Sequence, residues 1–244
     1  KANASKIISK EPKKPVNSAN AMDIPADPLM SRSSCPTFDM RRQSYEIRYS
    51  PSFRATKQAE RMSAAIWGDL WSSNQSVFAR RYMATAIEKE TLVCLAADLR
   101  TMGDIRSLIA EVGPYIACLK LHVDIVNDWN IDGWMDICKE AKDLGVAIWE
   151  DRKFADIGRV SRQQMAGAFD IRSWADIVTA HLISGPDIVQ GLQNGWGDVG
   201  REGGVLLLAQ MSSRGNLLNE EYTTTVVEYG NKIEGVLGYI GNGS

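Results

Sequence analysis

From residue 91 onward the chain alternates between two hydrophobic periods. Short, nearly continuous apolar runs read as buried strands: LVCLAADL (92–99), YIACLKLHVDI (115–125), VAIWEDR (146–152), ADIVTAHL (175–182), GVLLLAQMS (204–212) and GVLGYIG (235–241). Between them, amphipathic stretches predict helices over 101–111, 131–143, 159–168, 185–193 and 220–231. Strands this apolar, each followed by a helix, are the pattern of a parallel sheet covered by its crossovers. Ahead of this region, Phe78, Tyr82 and Ala86 recur every four residues and predict a helix over 76–89; another is expected over 53–70. Residues 1–52 carry KEPKKP, IPADP and SSCP, a proline-rich and polar composition that predicts little order on its own. Three segments are therefore expected: a basic extension (1–52), N-terminal helices (53–90) and a β/α region (91–244).

The first five strands end in or beside polar residues: Asp98; Lys120 with His122 and Asp124; Asp151 with Lys153; His181; and Ser212. In a (β/α)8 barrel that C-terminal rim carries the chemistry. An open doubly wound sheet also binds ligands there, but no GxGxxG follows the first strand to support a dinucleotide fold. The pattern favours the barrel, with six βα units against the eight of a closed one.

Charge sharpens the picture at WEDRKFADIG (149–158). Residues i and i+2 on a strand share a face, so Asp151 pairs in direction with Lys153, and Lys120 with His122 and Asp124 if that strand persists. Asp156 follows on the turn before Gly158. A lysine and a carboxylate facing into an apolar barrel cost several kcal/mol each if unpaired, so they are expected to pair. Two lysines among carboxylates make a charge array that can hold one ammonium against a reacting atom. The same residues fit two other readings. One is a structural ion-pair network closing the barrel end; the other is a Schiff-base lysine, which needs a lowered pKa that flanking carboxylates oppose. Glu150 and Arg152 point the other way and read as structural.

Composition adds less. The chain has 244 residues, 44% of them apolar, enough for a sizeable core. No apolar run reaches membrane-span length, and no secretory h-region precedes the β/α region. Two histidines argue against a His-rich metal site. Of the four cysteines, Cys35, Cys94, Cys118 and Cys138, three sit in apolar patterns, as reduced core thiols of an intracellular protein would. Residues 1–90 hold 15 Lys and Arg against 9 Asp and Glu, and residues 91–244 hold 13 against 21. Such a basic arm is either a solvated tail or a contact for nucleic acid or an acidic protein surface. The first residue is Lys rather than Met, which a removed organellar presequence and a partly covered chain explain equally.

KLHVDI (120–125) and EDRKFADIG (150–158) resemble orotidine 5'-phosphate decarboxylase, especially its eukaryotic form. LAADL (95–99), SWADIVTAH (173–181), GPDIVQGLQ (185–193), MSSRGNL (211–217) and EYTTTVV (221–227) extend the resemblance over roughly 75–241. It implies a homodimer of (β/α)8 barrels that converts orotidine 5'-phosphate to UMP, in pyrimidine biosynthesis, without metal or organic cofactor. By the same resemblance Lys120, Asp151, Lys153 and Asp156 form the catalytic array. Lys153 stabilises charge at C6 and delivers the proton, Asp151 stands by the departing carboxylate, Lys120 orients the array and meets a ribose hydroxyl, and Asp156 reaches the neighbouring subunit's site. Asp98 would bind ribose and Ser212 the pyrimidine edge. A cytoplasmic location follows for the metabolic enzyme, or the mitochondrial matrix if a presequence preceded residue 1.

The chain departs from the family pattern at several positions. Ala96 stands for serine, Leu121 for threonine, Arg159-Val160 for Asn-Thr and Gln210 for glutamate, and the last two strands with their phosphate-gripping arginine do not follow GYIGNGS. These departures also fit an inactive relative acting as a structural subunit of a larger assembly, including a ribonucleoprotein, with partners on residues 1–52 and the open barrel edge.

Overall fold

Helix starts are set by short polar side chains. In the computed structural model, which describes residues 57–73 and 76–242, Ser76, Thr101, Asn130 and Asn219 each accept a hydrogen bond from the backbone N–H three residues on, at 2.8–3.2 Å. Each such cap is worth about 1 kcal/mol. They open α3 (Val77–Glu88), α4 (Met102–Val112), α5 (Ile131–Asp143) and α9 (Glu220–Gly230), and α1 (Lys57–Trp67) and α2 (Asp69–Ser73) precede them. The remaining helices are α6 (Gly158–Met165), α7 (Ile171–Trp174) and α8 (Asp187–Gly197). At the end of α5, Gly145 takes φ +72°, the left-handed conformation that turns the chain into the next strand. The described residues fall in one compact unit, Arg42–Ser244; the expected extension 1–52 lies outside them.

Six strands, β1 (Cys94–Ala96), β2 (Cys118–Leu121), β3 (Ala147–Phe154), β4 (Ile177–Ala180), β5 (Gly204–Leu208) and β6 (Val236–Ile240), form one sheet in sequence order, every neighbour parallel. A doubly wound sheet reverses its order at a switch point; this one never does. The chain therefore winds as consecutive units of a (β/α)8 barrel, six of them, as the sequence predicts. All six strands fall inside their predicted windows except β3, which runs two residues further, to Phe154; β1 and β2 are much shorter than expected, and α7 is additional.

Alternation along the strands sorts side chains into two layers. Leu119, Leu121, Ile148, Val178, Ala180, Val205 and Leu207 face outward and pack under the helices, against residues such as Ile109, Trp134, Trp174 and Trp196. On the inner face Cys118, Ala147 and Ile177 form the floor, closed from below by Phe78 and Tyr82 of α3. Lys89, just past α3, anchors that helix by donating to the carbonyls of Gly113, Ile116 and Leu144. Burial lowers the Lys89 ammonium to about 8.

At this N-terminal end of the sheet a buried ion group joins α5 to the start of β4. Asp176 Oδ1 lies 3.3 Å from Lys142 Nζ and 2.8 Å from Arg201 Nη2, and its Oδ2 accepts from Ile148 N–H at 3.0 Å. Burial pushes the Asp176 carboxyl up, but Lys142 and Arg201 outweigh it and hold the group below the usual carboxylate range.

The three core cysteines are not alike. Cys118 and Cys138 are buried, as expected, but Cys94 is exposed, because it opens β1 at the edge of the sheet.

Two helices meet backbone to backbone beside the strand-end loops. A Cβ on Gly158 would stand 2.2 Å from the Asp187 carbonyl oxygen, and one on Gly191 would stand 2.1 Å from that of Gly158. No side chain fits between α6 and α8. Gly191→Ala is expected to lower stability by about 1–3 kcal/mol, the cost of overpacking rigid backbone, seen as a lower urea midpoint with unchanged slope. A midpoint equal to the parent's would show that the helices can separate freely.

Candidate active site

The inner face changes character toward the C-terminal ends of the strands. Above the apolar floor, β2 contributes Lys120, β3 contributes Asp151 and Lys153, and β4 contributes Thr179. Asp98 follows the end of β1. Asp151 is the hub: its Oδ2 lies 3.5 Å from Lys120 Nζ and 3.1 Å from Lys153 Nζ, while its Oδ1 accepts from the Thr179 hydroxyl at 2.7 Å. Thr179 in turn accepts from the Trp149 indole N–H at 3.0 Å, which commits its own proton to Asp151. Lys120 also reaches Asp98 Oδ1 at 3.1 Å. Two ammonium groups and two carboxylates thus alternate along the rim.

Exposure ranks these groups. The Asp151 side chain is 11% exposed and Lys120 15%, whereas Lys153 is 36% exposed. Of the two ammonium groups, Lys153 is the one that a bound molecule can touch. Its position depends on a break in the ladder: Glu150 pairs with Val178 but Lys153 with Thr179, so Asp151 and Arg152 form a bulge in β3. Bulges re-aim side chains near functional sites, and this one places both Asp151 and Lys153 against Thr179.

His122 Nε2 sits 3.1 Å from Lys120 Nζ. The same nitrogen lies 3.6 Å from Asp151 Oδ2 and 3.8 Å from Asp98 Oδ1, so the ring flanks the array. His181, just after β4, is held below the usual imidazole range by burial and by the charge of Lys153.

One expectation needs correction, and two further residues stand apart from the charged group. Asp124 does not line up with Lys120, because β2 ends at Leu121 and the chain turns into a 3-10 segment, Val123–Ile125. The cause is Glu150, fully buried on the outer face of β3, whose Oε2 accepts from Val123 N–H at 2.9 Å. Asp156 makes no ion pair with Lys120 or Lys153 among the described residues. It is exposed in the loop before α6, where its Oδ1 accepts from Ile157 N–H at 2.7 Å. Asp156 and Lys153 do share the wall of an open cleft of about 470 Å³, with Phe154 and Ser184. Ser212 is exposed in the loop after β5, with no hydrogen bond to the charged group among the described residues. Thr179 is the residue missed by sequence reasoning; its signal was the inward parity of Ile177, Thr179 and His181.

Fold and site together define a (β/α)-barrel protein whose strand-end rim carries an alternating lysine–carboxylate array. Comparison with known proteins agrees. The family model described as Orotidine 5'-phosphate decarboxylase / HUMPS family matches residues 91–243, and the chain belongs to that family. An orotidine 5'-phosphate decarboxylase of Maudiozyma exigua is 41% identical over 170 residues, covering 68% of this chain and 63% of that protein. One of Torulaspora delbrueckii is 40% identical over 170 residues, with 68% and 64% covered. The chain thus spans somewhat less than two thirds of these relatives' length. The crystal structure of orotidine 5'-phosphate decarboxylase from Pyrococcus horikoshii OT3 aligns with a TM-score of 0.47 at 26% identity, over 60% of this chain and 65% of that one.

Glu150 yields a pH test. Burial raises its carboxyl from 4.5 to about 8, with the Val123 N–H pulling the other way and Asp124 adding to the rise. Between those values the folded state binds more protons than the unfolded one, so this group's contribution is full below about 4.5 and is lost as pH rises through about 8. Glu150→Gln mimics the protonated acid. Its denaturation midpoint is expected to gain on the parent's as pH goes from about 5 to about 9; parallel curves would mean that Glu150 ionises normally.

Proposed function

We propose that this chain carries the reaction centre for decarboxylation of orotidine 5'-phosphate to UMP. The observation that carries the reading is Asp151 clamped between Lys120 and Lys153 at 3.5 and 3.1 Å, with Thr179 on its other oxygen. A carboxylate so held cannot swing away when a second negative group approaches. The substrate carboxylate, seated beside Asp151 and Lys153, loses its C6–C bond to leave as CO2. The bonding pair stays on C6. Lys153 Nζ faces that pair, lowers its energy as charge develops and supplies the proton that makes the C6–H bond of UMP. The exposed Lys153 is then reprotonated from solvent. The array acts mostly on the transition state, since its charges are fixed before the reaction and need no reorganisation.

Lys120 balances Asp151 and Asp98, and with Asp98 stands where a ribose hydroxyl would be bound. Asp156, turned outward with its charge unmatched by the local lysines, fits a role at the site of a second subunit, which supports a homodimer. Ser212 would reach the pyrimidine edge from the loop after β5. Val160, which offers no hydroxyl, weakens the ribose contact across the dimer that the resemblance implies, a cost of about 1–3 kcal/mol for a hydrogen bond lost in a closed site.

The test is CO2 release from orotidine 5'-phosphate by this chain, with Lys153→Ala beside it. The parent is expected to turn over and the variant to lose roughly 10²-fold or more, the scale on which preorganised charge acts. Circular dichroism should show the variant folded, because Lys153 is the more exposed of the two lysines. A parent that releases no CO2, or a variant as fast as the parent, overturns the proposal.

A further inference from the structure

Cys94 opens β1 and Cys118 opens β2, and the two are register partners on adjacent parallel strands. Neighbouring strands lie about 4.8 Å apart, inside the Cα separation of about 4.4–6.8 Å that a disulfide spans. Both side chains project to the inner face: Cys118 packs on the floor with Phe78, Ala147 and Ile177, two residues before Lys120. Their environments differ in the way a reactive pair requires. Cys94 is exposed at the sheet edge, and Cys118 is buried behind it. The neighbouring Cys118 thiol and the charge of Lys120 hold the Cys94 thiol below its usual range against burial and Asp151, while Cys94 and burial hold Cys118 well above. Cys138 provides the contrast. It is fully buried among the outer-layer helices, and burial pushes its thiol up to about 12.

We propose that Cys94 and Cys118 form a thiol pair that hydrogen peroxide converts into a disulfide, with Cys94 reacting first and Cys118 resolving it. The Cys94 thiolate attacks one peroxide oxygen. The O–O bond breaks, hydroxide leaves and takes up a proton as water, and Cys94 becomes a sulfenic acid. The Cys118 sulfur, losing its proton, then attacks the Cys94 sulfur; the S–O bond breaks and a second water leaves. Two thiols are oxidised by two electrons and one peroxide is reduced to two waters. The bond forms beneath Lys120 and ties the three-residue edge strand β1 covalently to β2. It forms or fails independently of any turnover at the rim.

The experiment uses the full chain carrying Cys35→Ser, so that three thiols remain. Stepwise hydrogen peroxide, denaturation and thiol counting should show a fall from three to one, with peptide mapping finding Cys94 joined to Cys118 and dithiothreitol restoring the count. Adding Cys118→Ser should stop the reaction at Cys94 sulfenic acid, trapped as its dimedone adduct. A count that stays at three up to the peroxide concentration at which Cys138 oxidises overturns the proposal. So does Cys94 passing to sulfinic acid in the Cys118-containing chain without the crosslink.

Discussion

A carboxylate that is only 11% exposed inside an apolar barrel has few stable options, and Asp151 takes the one open to it. Left unpaired it would cost several kcal/mol. It is instead met on one oxygen by two ammonium groups and on the other by a hydroxyl whose proton a tryptophan has already directed. Three successive strands converge to satisfy it, β2 through Lys120, β3 through Lys153 and β4 through Thr179, while Asp98, just past β1, pairs with Lys120. The requirement runs both ways. Lys120 stays where it is because Asp151 and Asp98 flank it, and Lys153 stays at the rim because Asp151 Oδ2 is its nearest anion. The reaction centre is thus one interaction that closes only when the sheet has its native order and register.

This explains which features were legible in the sequence. Lys120, Asp151 and Lys153 announce themselves because charged residues two apart, ending apolar runs, have no ordinary place in a buried strand. The strand count and winding follow from the alternation of apolar runs with amphipathic helices. Thr179 carries only the weak signal of its inward parity, because a threonine between valine and alanine is unremarkable in any strand; the three-dimensional approach of Asp151 gives its hydroxyl a task. Asp124 is misleading for a related reason. Nothing local ends β2 at Leu121: the turn is imposed by Glu150, 27 residues away, which takes the Val123 N–H out of the ladder. The bulge in β3 is equally a tertiary effect, and it places Asp151 and Lys153 together opposite Thr179, a pairing that an unbroken ladder would not give.

The molecule builds a second lysine–aspartate cluster at the other end of the sheet, and comparing the two shows what separates structure from chemistry. Lys142, Asp176 and Arg201 have the same ingredients as the rim. The Asp176 side chain is 1% exposed, Lys142 3% and Arg201 10%, and Lys142 also donates to the Trp174 carbonyl at 2.6 Å. Every charge there is consumed within the fold, and burial draws the Lys142 ammonium down to about 8 without giving it anything to act on. Its work is to fasten α5 and the loop before β5 to the start of β4.

The rim differs by one open face. Asp151 is as fully engaged as Asp176, but its second lysine projects outward, so the fixed charge on Asp151 both positions Lys153 and leaves its ammonium available to a third group. The floor makes this arrangement stable. Phe78 and Tyr82 seal the sheet below, the apolar layer of Cys118, Ala147 and Ile177 excludes water beneath the array, and the lysine–carboxylate attractions are screened from above alone. Moving the array one layer down would give a second Asp176 cluster, satisfied and inert. Moving it one layer up would leave exposed ion pairs worth little. A strand end above a closed floor is the one level on this sheet where the charges are strong enough to hold one another and still have a free side for chemistry.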